Sequence, residues 1–303
     1  MTLQQLHYAI VITDTGSMNK AAEQLYISQP SLTSAIKELE REIGIIIFNR
    51  GGRGISLTAD GAEFIANARQ IYQQYETMQE KYTGKKLKRK FGVSAQHYSF
   101  VVRAFVDTVN EFNTSDYEFA VRETKTAEVI DDVVSMKSEI GVLYLSNFNR
   151  QIISKLIDTN HLEFHHLIDC DIFAYLYKGH PLAKKDRVSI EELKEYPCLT
   201  FEQGDKSSFY FAEEIIDTSE FSRVIKASDR STMLNLMKGL NGYTFCSGII
   251  CGELNGSDYL AVPISDSTDS MEIGYIKRKD TVISDIGKVY IDKLQNFLLR
   301  WKR

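Results

Sequence analysis

Between Leu3 and Ile43 the apolar positions step at three and four residues, the spacing that keeps one face of an α-helix in a core. Leu3, Leu6, Ile10 and Thr13 mark a first helix over about Leu3–Asp14, with Gly16 ending the connection. Ser17 is placed to cap a second helix whose small apolar face is Ala21, Ala22 and Leu25, and Tyr26 and Ile27 are expected to plug the turn after it. Ser28 caps a third helix, with Pro30 in its first turn, where a missing N–H costs nothing. Leu32, Ile36, Leu39 and Ile43 face the core from that helix. Gln29, Ser31, Thr33, Ser34 and Lys37 are left outward, polar and unbulky near its start. Two short helices about a tight turn offer the second to a DNA major groove, which is roughly 12 Å wide and refuses bulky outward residues.

The period then changes. Gly44 stops the third helix, Ile45–Arg50 reads as a strand, Gly51–Gly54 as a turn and Ile55–Leu57 as the return. This hairpin is a wing, with Arg50 at its base and Arg53 at its tip. Thr58 caps a long helix from near Ala59, where Ile65, Ala68, Tyr72, Tyr75, Gln79 and Tyr82 form a heptad-like seam. About 25 residues make a rod of roughly 37 Å. So narrow a stripe on so long a helix calls for a partner helix, hence a dimer. Lys85–Lys90 is a basic hinge, read as a solvated linker before any DNA contact.

Beyond the hinge, strands alternate with helices. The predicted strands are Phe91–Ser94, Glu118–Glu123, Glu139–Leu145, Leu162–Ile168, Asp171–Lys178, Cys198–Phe201, Arg223–Ala227, Tyr243–Ser247, Leu260–Ile264 and Glu272–Lys277. Helices fall between many of them, notably Tyr98–Phe112, Ala127–Lys137 and Ser284–Leu299. The alternation predicts an α/β architecture with largely parallel sheets.

Charge sharpens this division. The 303 residues carry a net charge of −5, which looks wrong for a nucleic-acid binder. Residues 1–90, however, hold 12 lysines and arginines against 9 acidic residues, while the remaining 213 hold 24 against 32. A mildly basic N-terminal piece on an acidic body suits local phosphate contact. The chain shows no apolar run of bilayer length and no signal-peptide layout, so cytoplasmic residence is expected, without membrane association. Cys170, Cys198, Cys246 and Cys251 lack CxxC spacing and read as buried free thiols.

These motifs resemble those of the LysR-type transcriptional regulators over essentially the full length. The resemblance rests on Ser17–Glu40, on the wing from Phe48-Asn49-Arg50 to Thr58-Ala59-Asp60-Gly61, on Glu139-Ile140-Gly141-Val142 and on His180-Pro181-Leu182-Ala183. It implies an all-α winged helix-turn-helix over 1–58, a dimerising linker helix and hinge over 59–90, and a two-lobed effector domain over 91–303 like periplasmic binding proteins. Lobe I would comprise about 91–163 plus 268–303, and lobe II about 164–267, with crossovers near Leu167 and Ser265. The function implied is DNA binding switched by a small metabolite held between the lobes, with no cofactor. The partners implied are promoter or operator DNA, an anionic or amino-acid-related metabolite, further copies in a homodimer or homotetramer, and RNA polymerase.

Carried over by position, DNA contacts fall to Gln29, Pro30, Ser31, Ser34, Lys37, Arg50 and Arg53. Effector contacts fall to Ser94, Gln96, His97, Thr124, Lys125, Phe201, Glu202 and Cys246. Ser94 and Thr124 also suit helix capping, and His97 a hydrogen-bonded position beside a helix start. Helix N-termini facing such a cleft favour anionic groups. The chain departs from the family in having Gln96-His97 and Asn113–Asp116 where many members place proline. The Ser94-x-Gln96-His97-Tyr98 segment is similar to a Gram-positive branch tied to sulfur amino-acid metabolism.

Other chemistries find no footing. His165 and His166 are neighbours on a predicted strand and point to opposite faces, and with His161 they lack the further partners of a tetrahedral metal site. An enzyme on a binding-protein-like fold is the alternative class, but GxSxG, GxxxxGK[ST] and GxGxxG are all missing. A solute-binding module without DNA activity would leave residues 17–58 unexplained.

Overall fold

The computed structural model describes residues 1–51, 54–83, 89–112, 116–204, 209–279 and 281–301. Helix α1 (Leu3–Thr15) opens with a capping box, in which Thr2 accepts from the Gln5 N–H and the Gln5 side chain accepts from Thr2, and it closes at Gly16 with φ 62°. Ser17 caps α2 (Met18–Gln24), and Ser28 caps α3 (Gln29–Ile43), which ends at Gly44 with φ 75°. Leu32, Ile36 and Leu39 are fully buried in one core with Ala9, Ile12, Ala21 and Ala22. Tyr26 departs from expectation. Its backbone is left-handed, φ 54°, and its side chain is 95% exposed, so half-buried Leu25 and Ile27 pack the turn instead.

Strands β1 (Phe48–Gly51) and β2 (Gly54–Leu57) pair antiparallel, Phe48 opposite Leu57. The first strand starts later than the apolar run from Ile45 suggests. Glu40 Oε1 accepts from the Ile47 and Phe48 N–H groups at 2.8 and 3.2 Å, and the Ile47 carbonyl accepts from Thr58 N. That stretch of backbone is spent on a corner and not on a ladder.

Helix α4 (Ala59–Thr83) starts where Thr58 Oγ1 accepts from the Gly61 N–H at 2.8 Å. A Cβ on Gly61 would lie 2.1 Å from the Ile47 carbonyl oxygen, so helix and corner meet backbone to backbone. The predicted seam divides in two. Ile65 and Ala68 are buried in the chain's own helical core, and Tyr72 stacks on His7 at 4.8 Å. The exposed apolar stripe is instead Ile71, Met78 and Tyr82 with half-buried Tyr75 among them.

Chain contacts separate one unit built on Met1–Lys90 from a second built largely on residues 91–303. The second contains two five-stranded sheets. One holds β3 (Arg89–Ala95), β4 (Tyr117–Glu123), β5 (Ile140–Leu145), β6 (Leu162–Cys170) and β12 (Met271–Arg278) in the order β4-β3-β5-β12-β6. The other holds β7 (Phe173–Tyr177), β8 (Cys198–Phe201), β9 (Val224–Ala227), β10 (Tyr243–Cys246) and β11 (Tyr259–Pro263) in the order β11-β7-β10-β8-β9. The sheets are mixed, not largely parallel: β12 runs antiparallel to β5 and β6, and β7 antiparallel to β10 and β11. The strands next to the two chain crossings impose this, because each crossing delivers a strand without a returning helix. Strand β6 stays in the first sheet to Cys170, so the chain leaves it beyond the expected crossing near Leu167.

Helices α5 (Ser99–Phe112), α6 (Thr126–Val134), α7 (Arg150–Thr159) and α11 (Asp285–Trp301) accompany the first sheet, and α8 (Ile190–Leu193), α9 (Arg230–Leu240) and α10 (Gly252–Asn255) the second. The left-handed Met136 marks the end of the α6 region earlier than Lys137.

Gly61→Ala should destabilise the N-terminal unit by about 1–3 kcal/mol, since the added methyl meets backbone that cannot yield. A urea melt followed by circular dichroism of the intact chain measures it, and an unchanged midpoint would contradict this packing.

Candidate functional site

Two features are built for recognition. The first is the outward face of α3. Gln29, Pro30, Ser31, Ser34 and Lys37 lie on this face, while the opposite face is locked in the core. Ser28 and Ser31 hydroxyls lie 2.7 Å apart, and Gln29 Nε2 donates to Thr33 Oγ1 at 2.9 Å, so the helix start is pre-ordered by its own side chains. Arg50 lies on β1, and Arg53 falls outside the described residues. The aromatic ring of Tyr26 stands clear of the core immediately before this helix.

The second feature is a cavity of about 80 Å³ at the ends of β8 and β10, walled by the second sheet and bordered by His97–Ser99 of the first lobe. His97 stacks on Phe201 with ring centroids 3.7 Å apart and planes 1° from parallel. Glu213 Oε2 accepts from the His97 N–H at 2.9 Å, the His97 Nδ1 lies at the same distance from it, and Gln203 Nε2 donates to Oε1 at 3.2 Å. Further bonds join the lobes alongside. Gln203 Oε1 accepts from Thr126 N at 3.2 Å, Thr126 Oγ1 donates to the Phe211 carbonyl at 2.8 Å, and Tyr144 donates to the Ala212 carbonyl at 3.0 Å. Arg230, at the start of α9, pairs with Glu123 at the end of β4.

The expected effector contacts separate into two groups. His97, Phe201 and Cys246 line the cavity. Ser94 does not: it is fully buried, donating to Asp132 and lying 2.8 Å from the Ser138 hydroxyl, and so caps no helix either. Gln96 is also fully buried, donating to Thr126 and accepting from Tyr144 N and the Tyr98 hydroxyl, which fixes the loop from behind. Thr124 donates to Glu128, Lys125 lies 3.9 Å from Glu128, and Glu202 is exposed with its N–H bonded to Ala227; none of the three lines the cavity.

Sequence reasoning passed over Glu213, Glu214, Arg230 and Thr244, which do. The signal available was the pair Glu213-Glu214 set between apolar neighbours in Phe209–Ile216, an odd place for adjacent acids. Glu214 is buried, its Oε1 accepting from Phe201 N at 2.9 Å. Burial, and then the Glu213 carboxylate beside it, push its pKa up to about 8. Burial likewise pushes the thiols of Cys246 and Cys198 up to about 12. None of the four cysteines is joined in a disulfide. His165 and His166 lie 3.2 Å from Glu163 and Asp169 respectively, and no group of three metal-binding side chains converges among the described residues.

The profile of bacterial regulatory helix-turn-helix proteins of the lysR family matches residues 3–62, and that of the LysR substrate binding domain matches residues 99–298. The chain belongs to the LysR family. It is a DNA-binding transcriptional regulator with an effector-binding domain, in a family without enzymatic activity. The regulator is 22% identical over 306 residues to the uncharacterized HTH-type transcriptional regulator YbhD of Escherichia coli (strain K12), covering 97% of this chain and 91% of that one. It is 28% identical over 205 residues to the HTH-type transcriptional regulator AlsR of Bacillus subtilis (strain 168), covering 66% of this chain and 64% of AlsR. Its fold is similar to that of a full-length OxyR variant from Pseudomonas aeruginosa, with a TM-score of 0.65 at 18% identity over 97% of this chain and 98% of that one. Among the described residues no helix is long and apolar enough to cross a membrane.

Glu214 gives this regulator a pH signature. Its folded pKa lies above the ordinary carboxylate value of 4.5, so the folded state holds the proton more tightly than the unfolded chain. Its contribution is complete below pH 4.5 and is lost as pH rises through about 8. Glu214→Gln, which stays neutral, should therefore flatten the fall in melting temperature across that window. Parallel curves for the two proteins would show that Glu214 ionises freely.

Proposed function

We propose that this regulator reads operator DNA with the outward face of α3 and is switched by a small metabolite in the cavity between its lobes. The cavity carries the reading. Its walls come from both lobes, so a ligand there interacts differently with different lobe arrangements, and only such a difference can shift an equilibrium between them. Residues 1–58 serve as the DNA-binding domain, 59–90 as linker helix and hinge, and 91–303 as the effector domain.

Gln29, Pro30, Ser31 and Ser34 approach base edges, and Lys37, Arg50 and Arg53 the phosphates, where positioning outweighs sequence reading. The exposed stripe from Ile71 to Tyr82 supports a homodimer through the second half of α4, and pairs of dimers form the tetramer of the family pattern. Each dimer then spans half-sites about 34–36 Å apart, one turn of DNA, or a multiple of that. A lobe movement changes the spacing of the dimers and hence the bend they impose, with RNA polymerase as the downstream partner. Residence is cytoplasmic, with the DNA. The segment Ser94–Tyr98 makes amino-acid-related metabolites, sulfur amino-acid precursors first, the compounds to test as effectors.

Footprinting of the intact regulator upstream of its own gene should show phased half-sites that shift with one such compound. Gln29→Ala or Ser34→Ala should cost about 1–3 kcal/mol of discrimination and relax preference at one position. Arg53→Ala should weaken all sequences alike and reduce the salt slope by about 1. Operator affinity and discrimination unchanged by Ser34→Ala would overturn the groove assignment.

A further inference from the structure

The lobe I groups best suited to hold an anion are already engaged. The His97 N–H takes the Glu213 carboxylate, and the Thr126 N–H at the start of α6 takes Gln203 Oε1. Among the described residues Arg230 is the one lysine or arginine lining the cavity, and it is engaged by Glu123. What the cavity offers instead is acidic. Glu213 and Glu214 both line it, and both are more than nine-tenths buried. The titratable groups around Glu214 are Glu213, Tyr98, Tyr144 and Cys198, none of them a cation, and His97 is committed to Glu213.

A second observation is independent of these acids. Thr244 lines the same cavity, is buried, and its Oγ1 has no hydrogen-bond partner among the described residues. Buried hydroxyls are seldom left so, and one that faces a cavity is satisfied by what fills it. Most of the remaining walls are apolar or aromatic, among them Met233, Ile249, Phe245 and Tyr175.

We propose that the effector is a small amine, bound as its ammonium against the Glu214 carboxylate with Thr244 as its second polar contact and its apolar part on Met233 and Phe245. This rests on reading the cavity as the effector site and narrows the ligand's charge. An anion placed there would meet the Glu213 carboxylate and the buried Glu214 acid with no uncommitted cation among the described residues to offset them, whereas an ammonium gives Glu214 the charged partner that favours its ionised form. Space is short: at about 10–15 Å³ per water-sized group, the cavity admits about five to eight such groups. Aromatic walls add cation–π attraction for an ammonium and nothing comparable for a carboxylate.

Isobutylamine and isobutyrate share one apolar body and differ in charge. With methyl-labelled methionine in the intact regulator, Met233 and Met271, both lining the cavity, report occupancy by NMR. Isobutylamine should shift these methyls with at least ten-fold higher apparent affinity than isobutyrate. Glu214→Gln should lower the amine's affinity ten-fold or more, and Thr244→Val about three-fold. Isobutyrate binding as tightly as the amine would overturn the amine assignment and leave the effector site standing. If neither compound moves the methyls the amine assignment also fails. The site itself fails only if the compound that shifts the operator footprint leaves the methyls unmoved too.

Discussion

The Glu213 carboxylate is the interaction on which the effector domain's arrangement turns. It draws the His97 N–H and ring from one lobe and Gln203 from the other into one buried cluster, and the His97–Phe201 stack closes over it. Charge-assisted bonds to a carboxylate are among the stronger polar contacts in a protein, and burial makes leaving them unmade costly. The neighbouring bonds from Thr126 and Tyr144 to the Phe211 and Ala212 carbonyls satisfy backbone oxygens that would otherwise sit unpaired in the cleft. The chain therefore supplies its own acceptors to lobe I positions at which a ligand's anionic group was expected.

The N-terminal unit follows a different logic. There the apolar pattern is local, and each helix carries its own start and stop: Thr2, Ser17 and Ser28 as caps, Gly16 and Gly44 as ends. Burial of Leu32, Ile36 and Leu39 leaves the polar face of α3 no choice but outward. The close approach at Gly61 ties wing and linker helix together at one point of backbone contact.

Legibility in the sequence tracks the range of the interactions. The three helices, the wing and most strands are readable because caps, glycines and periodicity act within a few residues. The antiparallel placement of β7 and β12 is not, because strand direction is decided by where the chain crosses between lobes. Tyr26 escapes a sequence reading because a left-handed backbone at a non-glycine residue leaves no pattern. In the cleft, strand ends point to His97, Phe201 and Cys246, yet they point equally to Ser94 and Gln96, which serve the interior behind it. Glu213 and Glu214 are easily passed over because they reach the cavity from an irregular stretch around Phe209–Phe211, with no strand end to announce them.

The raised thiols bear on reactivity at sulfur. Peroxide chemistry at sulfur proceeds through the thiolate. Burial raises the Cys246 thiol in this cavity well above its ordinary range and so favours the protonated, less nucleophilic form. A few buried neighbours of one sulfur thus hold it in the form less open to oxidants, whatever the fold around it.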